Sequence, residues 1–363
     1  MAAACIDRRN ALLPTGDARF GFPSEPNTAR MASLVVALAA AYALHRQSTS
    51  VALQADQNTS AVPDNLAQNL VLVKVYKAAS TTCSAVLRRV GAMHGLSGYK
   101  DNDWISTEPG VWANHHPRCS LEAAISSLRR PTFQLTSVRD PLSRCLSYYY
   151  YSVDFLRDGP TKASLNTTAG KLQYLRQNCS DFQYKYVSSA SAVASCTPTM
   201  PHESADATIT DEQVQRDVEA SVALYDFIAV SEQIDESMVL LAHALGIDAS
   251  DVLYVPERVA GSSHPPLEEE PPEVLAYANG PFRQHNRRDY LLHERATAEL
   301  AARTAAWPGF DASHAEYLAL ESAITETCDP SQPPCYWHDI GCDYECVDRL
   351  VARWTDHHDF KRQ

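Results

Sequence analysis

The sequence predicts an α/β domain, a P-loop-like three-layer sandwich in which a mainly parallel central sheet is flanked by helices. Three observations predict it. Apolar runs rich in β-branched residues at 69–76, 131–138 and 225–232 read as buried strands. Each is followed by a segment with helical spacing, the order expected of strand–helix–strand units. The first junction, Lys77-Ala78-Ala79-Ser80-Thr81-Thr82, has the polar make-up of a turn that receives a phosphate at a helix N-terminus.

Taken in order, "NLVLVKVY" is continuously apolar, as in a strand covered on both faces. A helix is expected from about Thr82 to His94, with Val86, Leu87, Val90 and Met93 on one side. "PTFQLTSV" (Pro131–Val138) is the second strand, and a helix starts at Pro141, a favoured first helical residue after the N-cap Asp140. "YDFIAVSE" (Tyr225–Glu232) is the third, followed by a helix through "MVLLAHALG" that stops at Gly246. Further helices are expected over Phe282–Thr304 and Ala312–Thr325, and there are no internal repeats.

The chain divides into a polar tail (1–30), an apolar run (31–44), a stem (45–69), a main folded domain (70–327) and a cysteine-rich tail (328–363). "MASLVVALAAAYAL" follows Arg8, Arg9, Arg19 and Arg30; it reads as a signal anchor with the arginines cytosolic, as a cleaved signal peptide ending near Ala43, or as a buried helix. Ten cysteines and three Asn-x-Ser/Thr acceptors, at Asn58, Asn166 and Asn178, point to a secretory lumen and to disulfides, with zinc as the alternative for Cys328, Cys335, Cys342 and Cys346.

Net charge is −13, which argues against nucleic-acid binding. Residues 70–160 nevertheless hold eleven Lys/Arg against seven Asp/Glu, so an anionic ligand is expected there, whereas 201–275 holds two against seventeen and reads as a solvated acidic face. In the first junction the leading N–H groups of the helix, the Ser80, Thr81 and Thr82 hydroxyls and the Lys77 ammonium can meet one anion. The hydroxyls can equally cap the helix. In "SVRDPLSRCLSYYYYS", Arg139 and Ser147 are candidates for a second phosphate, and Arg144 is expected to pair with a carboxylate.

These two motifs, in this order, resemble the paired phosphate sites of sulfotransferases that use 3′-phosphoadenosine-5′-phosphosulfate (PAPS). The likeness is nearest to the Golgi heparan sulfate/uronyl 2-O-sulfotransferases, with galactose 3-O-sulfotransferases next. It spans about Leu70 to Asp158 and returns faintly at "FRQHNRRDYLLHERATAEL". In that family a Lys-x-Ala-Ser-Thr turn binds the 5′-phosphosulfate, here Lys77-Ala78-Ala79-Ser80-Thr81. An Arg-Asp-Pro…Arg…Ser-Tyr-Tyr-Tyr segment binds the 3′-phosphate, here Arg139-Asp140-Pro141, Arg144 and Ser147 to Tyr150. A histidine precedes it by about two dozen residues; His115 and His116 both qualify. The acidic stretch and the cysteine tail have no counterpart in that pattern.

The resemblance implies sulfuryl transfer from PAPS to a glycan hydroxyl, leaving 3′-phosphoadenosine-5′-phosphate, without a metal. His115 or His116 acts as base, Lys77 stabilises the leaving oxygen, and the nucleotide is held by Lys77 to Thr82, Arg139 and Ser147. It also implies a Golgi type II membrane protein with a luminal catalytic domain, or a secreted one. Arg88, Arg89, Arg118, Arg129 and Arg130 are candidates to attract an acidic polysaccharide, and "PERVAGSSHPPL" (Pro256–Leu267), with Arg258, to cover the nucleotide. The competing readings are a non-catalytic glycan- or nucleotide-binding protein on the same fold and a P-loop nucleotide kinase; the latter lacks its Gly-x-x-x-x-Gly-Lys turn.

Overall fold

The computed structural model describes residues 69–96, 110–155, 159–193, 196, 209–256, 265–328 and 344–362. The N-terminal tail, the apolar run, the stem up to residue 68, Asn58, Arg258 with most of its loop, Cys335 and Cys342 lie outside the described residues.

Four strands form one all-parallel sheet in the order β2-β1-β3-β4: β1 (Asn69–Val73), β2 (Val111–Asn114), β3 (Thr132–Val138) and β4 (Phe227–Val230). β2 was not anticipated, because its four residues are too short a run to stand out. The other three fall inside the expected segments. Leu70, Leu72, Val73 and Leu135 have no exposed surface, which explains the absence of polar alternation in these strands. Burying each such side chain contributes about 2 kcal/mol.

Helices cover both faces. α1 (Ser80–Met93) lies on β1, β2 and β3, and α8 (Ile234–Leu245) lies on β4; α11 (Phe310–Thr327) packs on α8, and α12 (Tyr344–Arg362) on α11. The opposite layer contains α10 (Arg287–Ala306), which packs on β3 and β4 beside α6 (Phe182–Val187) and α7 (Asp211–Val222). Between these come α2 (Arg118–Ser127), α3 (Pro141–Phe155), α4 (Pro160–Leu165), α5 (Thr168–Asn178) and α9 (Pro272–Tyr277). The helix expected over Phe282–Thr304 is broken near its start: a π turn at Ala278–Phe282 contains Pro281, and Asn286 separates it from α10. Proline there removes one N–H and shifts the hydrogen-bond pattern.

Among the described residues three disulfides tie elements together: Cys119–Cys196, Cys145–Cys179 and Cys328–Cys346. The last joins two of the four C-terminal cysteines, as the disulfide reading expected. Asn166 and Asn178 are both exposed at helix ends.

The strand order fixes where a ligand can enter. The chain leaves β1 towards β2 on one side and leaves β3 towards β4 on the other. The connections therefore part between β1 and β3, and in sheets of this kind ligands enter at the carboxyl ends of such neighbours. Lys77 follows β1, His115 follows β2, Arg139 follows β3 and Glu232 follows β4, so all four sit on that rim.

Candidate functional site

The turn after β1 achieves without glycine what phosphate loops usually do with it. Lys77 has φ 64° and Ala79 φ 54°, both in the left-handed region. For residues carrying a Cβ this costs about 1 kcal/mol or more each. Turns of this kind aim successive N–H groups the same way and form a concave anion seat. α1 starts at Ser80, with Ala79 as N-cap and no side-chain cap. The expectation that Ser80, Thr81 or Thr82 caps the helix is therefore corrected: all three lie within the first turn. Their N–H groups head a 14-residue helix. Thr81 is exposed and Thr82 half-buried, whereas Ser80 and Ala78 are buried, Ala78 within the core. The Lys77 ammonium lies 4.9 Å from the centre of the exposed Tyr151 ring.

His115 is held on all sides. Its N–H donates to Asn114 Oδ1 at 2.7 Å, and its ring stacks on Tyr76 with centroids 3.9 Å apart and planes within 5°. Nδ1 lies 2.7 Å from the Lys74 carbonyl oxygen, which can only accept, so Nδ1 carries the proton and Nε2 the lone pair. Burial, with the Lys74, His116 and Lys77 charges nearby, pushes the imidazole pKa down to about 3. His116 lies against Trp112, ring centres 6.0 Å apart.

The two motifs meet. Arg139 Nη1 donates to the Lys77 carbonyl at 3.4 Å. The Arg139 backbone is clamped by Gln183, whose Oε1 accepts the Arg139 N–H at 2.9 Å and whose Nε2 donates to the Arg139 carbonyl at 2.8 Å. Gln183 in turn hangs from Asp289, which accepts the Gln183 and Tyr184 N–H groups and so caps α6. Asp181 returns the arrangement by accepting the Arg288 and Asp289 N–H groups at the head of α10. Burial and the neighbouring Asp181 raise the Asp289 pKa to about 7.

Ser147 lies buried on α3 and makes no hydrogen bond with Arg139. Asp140 is engaged in capping α3 through Ser143 N–H at 2.8 Å. Arg144 departs from expectation. It is fully buried, its guanidinium has no hydrogen-bond partner and stacks 4.2 Å from the Phe182 ring centre, and the Asp289 carboxylate acts on it through space without a direct ion pair. Burial lowers its pKa to about 10.

The proposed basic attraction surface is not one. Arg88 is buried and donates to Ala113 O; Arg89 donates to Ser250 O, Asp251 O and Asp348; Arg118 donates to Gln134. These three hold helices and strands together. Arg129 and Arg130 are exposed but precede β3, on the opposite rim of the sheet.

Sequence reasoning missed Lys74, Asn114, Gln183 and Glu232. Lys74 lay in plain view three residues before Lys77, but nothing showed that a lysine in a strand exit would be 1% exposed. Gln183 and Glu232 come from distant segments with no motif of their own. No protein-family model matches the chain, and a comparison with curated proteins finds no match either.

Proposed function

We propose that the chain transfers a sulfuryl group from PAPS to a sugar hydroxyl of a glycan. The observation that carries this reading is the meeting of the two anion-binding motifs on one rim, with Arg139 Nη1 3.4 Å from the Lys77 carbonyl and the fixed imidazole of His115 beside them. Two anion-binding ends joined at the switch point of a parallel sheet suit a nucleotide with a phosphate at each end. PAPS supplies the activated sulfuryl group. The first-turn N–H groups of α1, the Thr81 and Thr82 hydroxyls and Lys77 take its 5′ end, and Arg139 its 3′-phosphate.

His115 Nε2 is oriented to accept the proton of the attacking hydroxyl, because Nδ1–H is fixed on Lys74 O. A pKa near 3 keeps that lone pair available but makes a weak base. Burial is the main cause of that low pKa and Lys77 a smaller one; an anion at Lys77 offsets the Lys77 share, so the base strengthens when the donor is in place. Lys77 stabilises the charge that develops on the leaving oxygen. Lys74, buried behind His115, is a positioning residue acting through its carbonyl. The test is incubation with ³⁵S-labelled PAPS and a panel of neutral and desulfated glycans. Label transfer that vanishes in Lys77→Ala supports the reading; nucleotide binding without transfer to any glycan favours a binding protein on this fold.

A further inference from the structure

The rim contains an anion of its own. Glu232 sits on the 3₁₀ turn after β4, and its carboxylate serves three partners. Oε1 accepts the Asp140 backbone N–H at 2.9 Å and lies 3.9 Å from Arg139 Nε, and Oε2 lies 3.3 Å from His293 Nε2. Burial works against its ionisation, but the bonds from His293 and Asp140 carry its pKa below the usual range. The Glu232 side chain is 39% exposed and that of Arg139 18%, so the carboxylate is the more open of the two to solvent and to an incoming solute. An anion entering at Arg139 meets this guanidinium and the Asp140 N–H, where a carboxylate already takes the N–H and sits within ion-pair distance of the guanidinium.

We propose that Glu232 is a displaceable internal anion. It neutralises the half-buried Arg139 while the rim is free of ligand, and an incoming phosphate monoester dianion replaces it, leaving the carboxylate with His293. Which phosphate arrives rests on the donor reading above; the exchange itself rests on the contacts just described. The arrangement has two effects. Arg139 stays oriented between turnovers, since its charge is balanced and its backbone is clamped by Gln183. Product release is also eased, because the departing phosphate is replaced by a tethered anion in place of bulk water.

Glu232→Gln keeps an acceptor for Asp140 N–H and removes only the charge. Calorimetric titration of the full chain with inorganic phosphate and with adenosine 3′,5′-bisphosphate tests the idea. Both are expected to bind about five- to tenfold more tightly to E232Q. In an Arg139→Ala background E232Q is expected to change nothing. Equal or weaker phosphate binding by E232Q, with an unchanged unfolding midpoint, overturns the proposal. Tighter inorganic phosphate binding without nucleotide binding leaves the exchange standing and overturns the donor reading instead. A chain that binds neither ligand in either form overturns both.

Discussion

The Nδ1 of His115 lies 2.7 Å from the carbonyl oxygen of Lys74, the residue that leaves β1. One strand exit thus orients the imidazole and, three residues later, presents Lys77. An imidazole and an ammonium placed by the same short segment are held in one frame, which under the proposed function suits a reaction whose attacking and leaving atoms must stay in line.

His115→Ala is expected to lower turnover by about 10²- to 10⁴-fold while leaving nucleotide affinity within a few fold. NMR titration adds a direct readout. The His115 pKa of about 3 should rise when adenosine 3′,5′-bisphosphate binds, because the ligand brings negative charge to Lys77. An unmoved pKa would sink the proposed coupling between donor and base. Stability follows the same sign. The folded pKa lies below the ordinary value near 6.5, so the unfolded chain binds the extra proton between about 6.5 and 3. Acidification through that window destabilises the fold, and His115→Gln should flatten the dependence of the unfolding midpoint on pH there.

Lys77 and Ala79 allow strain and function to be separated. Ala79→Gly should stabilise the chain by roughly 1 kcal/mol, since glycine reaches positive φ freely. Lys77→Gly should likewise stabilise but abolish donor binding. Urea midpoints read beside nucleotide affinity distinguish the two; a destabilised Lys77→Gly would show that this backbone conformation is not strained.

The Asp181–Asp289 exchange of caps predicts a dependence in the opposite direction. With its folded pKa raised to about 7, Asp289 favours the fold while protonated, and that contribution fades as pH rises from about 4 through 7. Asp289→Asn should therefore gain stability relative to the parent chain at pH 8 compared with pH 5. Asp289→Ala, which leaves the Gln183 and Tyr184 N–H groups without an acceptor, should cost about 2 kcal/mol at pH 5 and less at pH 8, where the parent has lost the contribution of the protonated carboxyl. Chemical denaturation at the two values checks both.

Thiol chemistry checks the disulfides. Peptide mapping without reduction should recover Cys119–Cys196, Cys145–Cys179 and Cys328–Cys346. Cys83 is buried, and burial pushes its pKa up to about 12, so it should resist alkylation until the chain unfolds. Cys145→Ser with Cys179→Ser should cost about 2–4 kcal/mol, because the bond closes a 34-residue separation between α3 and the end of α5.

Much of the fold could be read from local pattern. Buried parallel strands announce themselves as unbroken apolar runs, and Asp140-Pro141 announces a helix start; both are properties of neighbours in sequence. Four-residue β2 fell below that signal although its last residues deliver His115. The site was legible only where single segments carry it, at Lys77–Thr82 and Arg139. Gln183 and Glu232, 44 and 93 residues beyond Arg139, act through contacts that folding alone creates. The buried arginines 88, 89 and 118 misled for the converse reason: charge in a sequence does not reveal which carbonyls or side chains will receive it.

Arg139 is gripped by Gln183, Gln183 hangs from Asp289, and Asp289 belongs to a helix that starts almost 150 residues downstream. A truncated piece ending at α3 would retain Lys77, His115 and Arg139 and still be disarmed. Grafting the rim onto another scaffold would demand the downstream helix as well, so the placement of Arg139 beside Lys77 belongs to the folded domain and not to any portable peptide.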